Sequence, residues 1–197
     1  MNNKIALGMI VRGDDDADIL ERCLNKAAPF VDGVFITVTG EPNEKLQKVA
    51  NRFGAAVDIR SGEFRKVITQ QEVDWLKDFL GWEPALKDKD SLFLFGDARN
   101  ANLDFIPDEY EWFLWLDSDD VLRNGSLLHE IGATANSNQA EAVFFNYLYQ
   151  TIIEDNQIKQ ILIQHLRERM VRIDGEYRKI FRWFGALHET LIQQRET

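Results

Sequence analysis

The residue types best suited to chemistry stand in one short segment, Trp112 to Leu122. Its apolar first half is typical of a buried strand, and it ends in three acids within four residues, Asp117, Asp119 and Asp120. Ligands of open α/β sheets bind just beyond the carboxyl ends of such strands. Clustered carboxylates repel one another unless a cation or hydrogen-bond donors hold them, and aspartate oxygens suit Mg²⁺ or Mn²⁺ shared with phosphate. The segment favours a metal–phosphate site over a plain turn in which Asp117 or Ser118 caps a helix.

The elements that must position this segment follow from the apolar pattern of the first sixty residues. Apolar runs predict strands over Ile5–Val11, Val34–Val38 and Ala55–Ile59. Apolar residues at helical spacing predict a helix after each of the first two strands. The two stripes are Ile19, Leu20, Cys23, Leu24 and Ala27, and Leu46, Val49, Ala50 and Phe53. Alternating strands and helices are typical of a parallel α/β sheet, in which the loops after these strands share the nucleotide-binding edge.

The rest of the chain is less regular. Residues 60–90 predict one helix that ends at Gly81, followed by an exposed loop. A second helix is expected within residues 91–105, and a short one after Leu122. Residues 142–153 and 158–166 are rich in β-branched and aromatic types around a polar turn, which predicts an antiparallel hairpin; a separate strand is expected over residues 168–173.

Composition limits the classes of function. The 197 residues, 45% of them hydrophobic, suit one globular domain. A formal charge of −10 argues against non-specific binding to nucleic acid or to an anionic membrane. The single cysteine, Cys23, excludes an internal disulfide and fits a reducing compartment. No signal peptide or run of about 18 apolar residues is seen, so a cytoplasmic location is expected.

A basic stretch near the end of the chain has two interpretations. It is either a solvated face or a wall that faces an anionic ligand. Its members are Arg167, Arg169, Arg172, Arg178, Lys179 and Arg182.

Two further constellations could take part in chemistry: His188 with Glu189, and Arg99 with Asn100. Asp119 could ligate a metal ion, and His188 could join it if the ion accepts nitrogen, as Mn²⁺ does. Glu189 could then act as a general base toward a hydroxyl nucleophile. The plainer alternatives are an ordinary polar network for His188 and Glu189, and a surface position on a helix for Arg99.

Five segments, taken in order, resemble family 2 glycosyltransferases with the GT-A fold. They match the opening strand, acidic loop and helix of that family, its lead into the second strand, its Ala-Arg-Asn element, its Asp-x-Asp strand and the Gly-x-x-His-Glu segment of one branch. The segments are residues 9–15 with 20–24, then 30–36, 97–100, 112–122 and 183–189. The resemblance implies a mostly parallel, Rossmann-like sheet flanked by helices, with a C-terminal antiparallel hairpin. It also implies one domain over residues 1–197, with a nucleotide-binding half at 1–120 and an acceptor and catalytic half at 121–197.

The same resemblance implies transfer of a sugar from a nucleotide diphosphate sugar, with a UDP-sugar expected, to a hydroxyl of a glycan or another acceptor. Asp117 would contact the ribose, and Asp119, with His188, would bind the Mn²⁺ or Mg²⁺ that bridges the diphosphate. Glu189 would deprotonate the acceptor for an inverting attack. The remaining donor contacts would come from Ile10, Val11, Arg12, Thr39, Arg99, Ser118 and Asp120, of which Asp120 has either a supporting role or a contact with the donor sugar.

The chain also departs from the family pattern. Val38 stands where the family usually has an aspartate that reads the base, residues 60–90 are longer than the usual connection, and the chain ends where relatives often continue. It is therefore expected to be either a minimal enzyme or one domain of a longer protein. Two other functions stay open: a phosphatase of the haloacid dehalogenase type with Asp117 as nucleophile, and a non-catalytic domain that binds nucleotide sugars.

Overall fold

The computed structural model describes residues 3–13, 17–154, 157–185 and 190–193. Its strands are β1 Ile5–Val11, β2 Gly33–Val38, β3 Ala56–Ile59, β4 Arg65–Val67, β5 Ser91–Phe93, β6 Trp112–Trp115, β7 Ala142–Glu154, β8 Gln157–Arg172, β9 Phe181–Phe184 and β10 Thr190–Gln193. Its helices are α1 Ala17–Ala27, α2 Glu44–Arg52, α3 Gln70–Leu80, α4 Phe95–Phe105, α5 Leu128–Ser137 and the single turn α6 Tyr177–Ile180.

A six-stranded sheet in the order β3-β2-β1-β6-β8-β7 forms the centre of the molecule. The pairs β1–β2, β2–β3 and β1–β6 are parallel, whereas β8 runs antiparallel to β6, and β7 antiparallel to β8. The chain moves from β1 toward β2 on one side and returns to place β6 on the other. This confirms the predicted class, a mostly parallel α/β sheet with a C-terminal antiparallel hairpin.

Alternate residues of β1 supply both faces of the sheet. Ile5, Leu7 and Met9 belong to the apolar layer under α1 and α2, while Ala6 faces the layer beneath α4. Most residues of the predicted helical stripes are buried, but Ile19 is 37% exposed and Phe53, just after α2, is only half-buried.

Helix α4 packs closely on β1 and β2 because Gly8 has no side chain. A Cβ atom at Gly8 would overlap the Phe113 ring and the amide oxygen of Asn102. The Asn102 amide nitrogen donates to the Phe35 carbonyl at 3.1 Å and to Thr37 Oγ1 at 3.1 Å. Helix α4 is therefore tied to the sheet three residues after Arg99, which fixes where that arginine can reach.

Two sequence expectations need correction. The strand expected over residues 168–173 is not separate, because β8 continues from the hairpin to Arg172 and its last residues pair with β6. Residues 60–90 hold more than a helix and a loop: β4 and β5 pair antiparallel on either side of α3. The predicted end of α3 is confirmed, since Gly81 takes the left-handed conformation at φ 72°.

A membrane-spanning segment is not found among the helices of the described ranges, since none is both long and apolar enough.

Candidate functional site

The acidic segment lies at the carboxyl end of β6, beside the end of β1. Neighbouring strands β1 and β6 connect to opposite sides of the sheet, so their ends form its topological switch point. The Leu116 amide, directly after β6, donates to the Gly8 carbonyl of β1 at 3.3 Å. Crevices at such switch points are the usual ligand sites of open α/β sheets.

Residues 117–120 form a tight turn that closes on itself. The Asp120 amide donates to the Asp117 carbonyl at 3.0 Å, and the Asp117 amide donates to Asp120 Oδ2 at 2.9 Å. The next helical residues are those of a 3₁₀ turn that begins at Gly125. The Asp120 carboxylate therefore shapes this turn, and the helix-capping alternative does not describe it.

Two buried arginines converge on Asp117. Arg99 Nη2 donates to Asp117 Oδ1 at 2.6 Å, and both terminal nitrogens of Arg169 lie 3.3 and 3.4 Å from Asp117 Oδ2. Arg169 also lies 3.2 Å from Asp120 Oδ2. The arginine side chains are 6% and 5% exposed, so helix α4 and strand β8 each bring a desolvated positive charge to the acids.

The indole of Trp115 supports both guanidinium groups. The Cζ atoms of Arg99 and Arg169 lie 4.4 and 4.0 Å from the Trp115 ring centroid. Trp115 Nε1 donates to the Glu168 carbonyl at 2.8 Å, which orients the indole. Flat guanidinium groups stack favourably on aromatic rings, so Trp115 holds the two arginines in place.

The two carboxyl groups differ in their proton affinity. Burial by itself raises the pKa of Asp117, but Arg99 and Arg169 outweigh it and hold that pKa below the usual value. Burial raises the pKa of Asp120, and the opposing attraction of Arg169 does not cancel it. Asp117 is therefore held as a carboxylate whose side chain keeps 35% exposure, enough surface to meet a ligand.

Asp119 differs from its neighbours because it is exposed. Its backbone carbonyl accepts from Arg22 at 3.4 Å, whereas Asp117 and Asp120 both use their carboxylates within the cluster. No three His, Cys, Asp or Glu side chains within the described ranges are grouped to hold a metal ion. The exposed carboxylate of Asp119 nevertheless fits a Mg²⁺ or Mn²⁺ ion, because such an ion can take its other ligands from substrate phosphates and water.

Four of the predicted donor contacts, Ile10, Val11, Arg12 and Thr39, lie where β1 and β2 end. The Thr39 amide and hydroxyl both donate to the Val11 carbonyl, at 2.8 and 3.2 Å. Gly40 approaches the Arg12 carbonyl so closely that a Cβ atom would overlap it. Ile10 is half-buried and Arg12 is exposed. Thr39 and Gly40 thus fix the path of the chain after β1.

Some of the predicted site residues lie together in the structure, and two others lie outside the described residues. Arg99, Asp117 and Asp120 share the cluster, and Ser118 lies half-buried in the same turn. His188 and Glu189 lie outside the described residues. The described residues before them are fixed to α4, since the Gly96 amide donates to the Gly185 carbonyl at 3.3 Å.

Sequence reasoning missed three members of the cluster: Trp115, Tyr147 and Arg169. Arg169 was part of the basic stretch, and the signal that separates it is its place directly before the apolar pair Met170 and Val171, which are both fully buried. Arg169 fits neither interpretation of that stretch, because it is buried against the protein's own Asp117 and Asp120, whereas Arg167 is exposed.

An apolar hollow of about 420 Å³ lies between α5 and β7. Leu127, Ile131, Val143 and Phe144 are among its lining residues, and Glu130 is its charged member. It contains none of the candidate site residues and offers no cation to a phosphate, so it is not a candidate for binding a nucleotide diphosphate.

No protein-family model matches this chain, and no curated protein matches it. Among solved structures, S. aureus TarS 1–349 is similar at 13% identity and a TM-score of 0.42, over 69% of this chain and 33% of that one. Glucosyl-3-phosphoglycerate synthase from Mycobacterium tuberculosis, in complex with Mn²⁺, uridine diphosphate and glucosyl-3-phosphoglycerate, is similar at 16% identity and 0.35, over 58% and 33%. A 4-diphosphocytidyl-2C-methyl-D-erythritol synthase from Anaerococcus prevotii is similar at 12% identity and 0.47, over 91% and 77%. This chain spans about a third of the length of the first two proteins, and likenesses this weak transfer no activity to it.

Proposed function

We propose that this chain is a GT-A-type glycosyltransferase domain that moves a sugar from a nucleotide diphosphate sugar, foremost a UDP-sugar, to an acceptor hydroxyl. The observation that carries the proposal is the pairing of Asp117 with Arg99 and Arg169 at the switch point between β1 and β6. A carboxylate kept ionised at that crevice is suited to accept hydrogen bonds from ribose hydroxyls. Residues 1–120 form the proposed nucleotide-binding half and residues 121–197 the acceptor half.

In this proposal the remaining donor contacts are assigned from where their residues lie relative to the ends of the strands. Backbone atoms of Ile10 and Val11, with Arg12 and Thr39, flank the base at the ends of β1 and β2. Arg99 is held beside Asp117 by their hydrogen bond. In this proposal it approaches the base or the diphosphate from there. Ser118 supplies a further donor contact, and Asp120 either supports the turn through the Asp117 amide or contacts the donor sugar.

Asp119, together with His188, is the proposed holder of Mn²⁺ or Mg²⁺. The ion, when bound, would supply positive charge at the departing diphosphate. Glu189 would remove the proton of the acceptor hydroxyl, so that its oxygen attacks the anomeric carbon while the bond to the diphosphate breaks. A buried cysteine thiol, Cys23, agrees with the proposed cytoplasmic location.

The phosphatase alternative is less well supported by the geometry around Asp117. Such an enzyme needs an Asp117 oxygen free to attack phosphorus, whereas Oδ1 and Oδ2 each accept from a buried guanidinium. Release of phosphate from p-nitrophenyl phosphate would favour that alternative. Hydrolysis of a UDP-sugar without an acceptor would exclude a non-catalytic binding domain.

We expect Asp119→Ala to weaken the binding of UDP in the presence of Mn²⁺ at least about tenfold, because loss of an outer partner of a metal ligand already has this effect. Isothermal calorimetry of the wild-type chain and the variant measures the change. Addition of EDTA to the wild-type protein should reproduce the defect of the variant.

Asp88→Ala is the matched control, since it removes one exposed acid from the loop before β5. It should bind UDP and Mn²⁺ as the wild-type protein does. If Asp119→Ala also bound UDP and Mn²⁺ unchanged, the assignment of Asp119 to the metal would be wrong.

A further inference from the structure

The β7–β8 hairpin extends well beyond the body of the sheet. Strand β6 pairs with β8 only over Met170–Arg172, whereas β7 and β8 stay paired as far as Glu154 and Gln157. An isolated two-stranded hairpin is marginally stable in water. A hairpin that projects in this way is therefore expected to gain stability from a ligand or partner that binds along one of its faces.

Three aromatic side chains cluster on one face of this hairpin. Tyr147 pairs with His165 across the strands, and Tyr149, at an irregularity of β7, lies beside both of their rings. The ring centroids lie 6.4 Å apart for Tyr147 and His165, 5.7 Å for Tyr149 and His165, and 6.2 Å for the two tyrosines. Tyr149 is 66% exposed, and His165 is exposed as well.

The cluster is continuous with the candidate site. The guanidinium of Arg169 lies 4.7 Å from the Tyr147 ring centroid, and burial together with the negative charge of nearby Asp120 raises the pKa of Tyr147 to about 12. Asp120 in turn accepts from the Asp117 amide at 2.9 Å. A molecule lying on Tyr149 and His165 would therefore reach toward the donor residues along a row of connected side chains.

The chemistry of this face suits a sugar ring. A pyranose presents apolar C–H bonds on its faces and hydroxyls on its edge, which match exposed ring faces and the polar tips of Tyr149 and His165. An anionic membrane is disfavoured by the formal charge of −10 and by Glu154 at the hairpin end. A nucleotide has its own proposed place, at the ends of β1 and β6.

We infer that Tyr147, Tyr149 and His165 form an aromatic platform that binds a sugar ring of a glycan acceptor. The inference rests on the proposed function and narrows its acceptor from any hydroxyl compound to a carbohydrate. Tyr147 anchors the platform to Asp120 and Arg169, while Tyr149 and His165 provide its open surface.

Saturation-transfer NMR with maltotriose, cellotriose and triacetylchitotriose, each with UDP and Mn²⁺ present, tests the platform. The ring C–H protons of at least one trisaccharide should receive saturation from the wild-type chain. Tyr149→Ala should weaken that binding about tenfold, as expected for loss of one stacked ring, and Tyr149→Trp should retain it. Leu166→Ala is the matched control, because Leu166 is 64% exposed, follows His165 directly and points to the opposite face.

Absence of binding by all three trisaccharides, or equal binding in Tyr149→Ala, would overturn the platform. So would a wild-type dimer that becomes a monomer in Tyr149→Ala, because the rings would then cover a second copy of the chain. Calorimetry with UDP and Mn²⁺ separates the two proposals. If the wild-type chain binds a trisaccharide through Tyr149 but does not bind UDP, the proposed glycosyltransferase function is rejected and the sugar platform is supported. If it binds UDP but no trisaccharide, only the platform is rejected.

Discussion

Arg169→Met is expected to lower the free energy of unfolding by about 3 kcal/mol at pH 7, the lower end of the range for breaking a buried ion pair. Arg169 is 5% exposed and faces two carboxylates, Asp117 and Asp120. Methionine fills similar space over Trp115 but leaves both acids with one positive partner fewer. Urea unfolding of the wild-type chain and the variant measures the difference.

The loss should depend on pH in a defined direction. The pKa of Asp117 lies below its usual value in the folded chain, so its contribution to stability is present above the unfolded pKa of about 3.9 and is lost as the pH falls through the folded pKa. Without Arg169 that contribution shrinks. The difference between wild type and variant should therefore be largest near neutral pH and narrow as the pH falls below about 4.

Arg167→Met is the control for this prediction, since Arg167 lies two residues away on β8 and is exposed. It should change the free energy of unfolding by less than about 0.5 kcal/mol. Adding Asp117→Asn to Arg169→Met should cost less than the sum of the two single changes, because the partners share one interaction. A loss independent of pH and additive with Asp117→Asn would assign Arg169 to packing on Trp115 instead of charge pairing.

The two neighbouring arginines show how far sequence reasoning can reach. Arg167 and Arg169 stand in the same basic stretch, and in the sequence only the apolar pair Met170 and Val171 after Arg169 separates them. The difference arises when β8 pairs with β6, which places Met170 opposite Leu114 and brings Arg169 over Trp115. That pairing joins residues more than fifty positions apart, so periodicity within one segment carries no record of it.

The strands and helices before residue 60 were predictable because each has a strong apolar period. Helix α3 marks the limit of that reasoning. Its end at Gly81 was correct, but its apolar residues are divided between two sides: Val73 is buried, whereas Trp75 and Phe79 are 61% and 73% exposed. Periodicity predicts the helix and cannot say which element covers its apolar face. The turn at Asp117 was similarly located by its charge, whereas its arginine partners come from α4 and β8.

Glu189→Gln is expected to reduce sugar transfer about 10²- to 10⁴-fold, the usual contribution of a general base, while UDP affinity changes less than about twofold. Glutamine keeps the size of glutamate but cannot take the acceptor proton. The described residues on both sides of residues 186–189 are well tied: Phe184 pairs with Thr190, and Trp183 exchanges two hydrogen bonds with Asn100 of α4, at 2.9 and 3.0 Å.

Helix α4 is also the helix that carries Arg99 to Asp117 at 2.6 Å, so the β9–β10 pair and the proposed donor residues around Asp117 share one rigid support. Transfer is measured with a UDP-sugar and a trisaccharide acceptor, and UDP affinity by calorimetry with Mn²⁺. Glu176→Gln, at an exposed position just before α6, is the control and should keep normal turnover. Normal turnover in Glu189→Gln would remove Glu189 as the base. If Glu189→Gln lost both UDP binding and sugar transfer, Glu189 would instead act on the donor side. A base that acts only on the acceptor is not expected to change the affinity for the nucleotide.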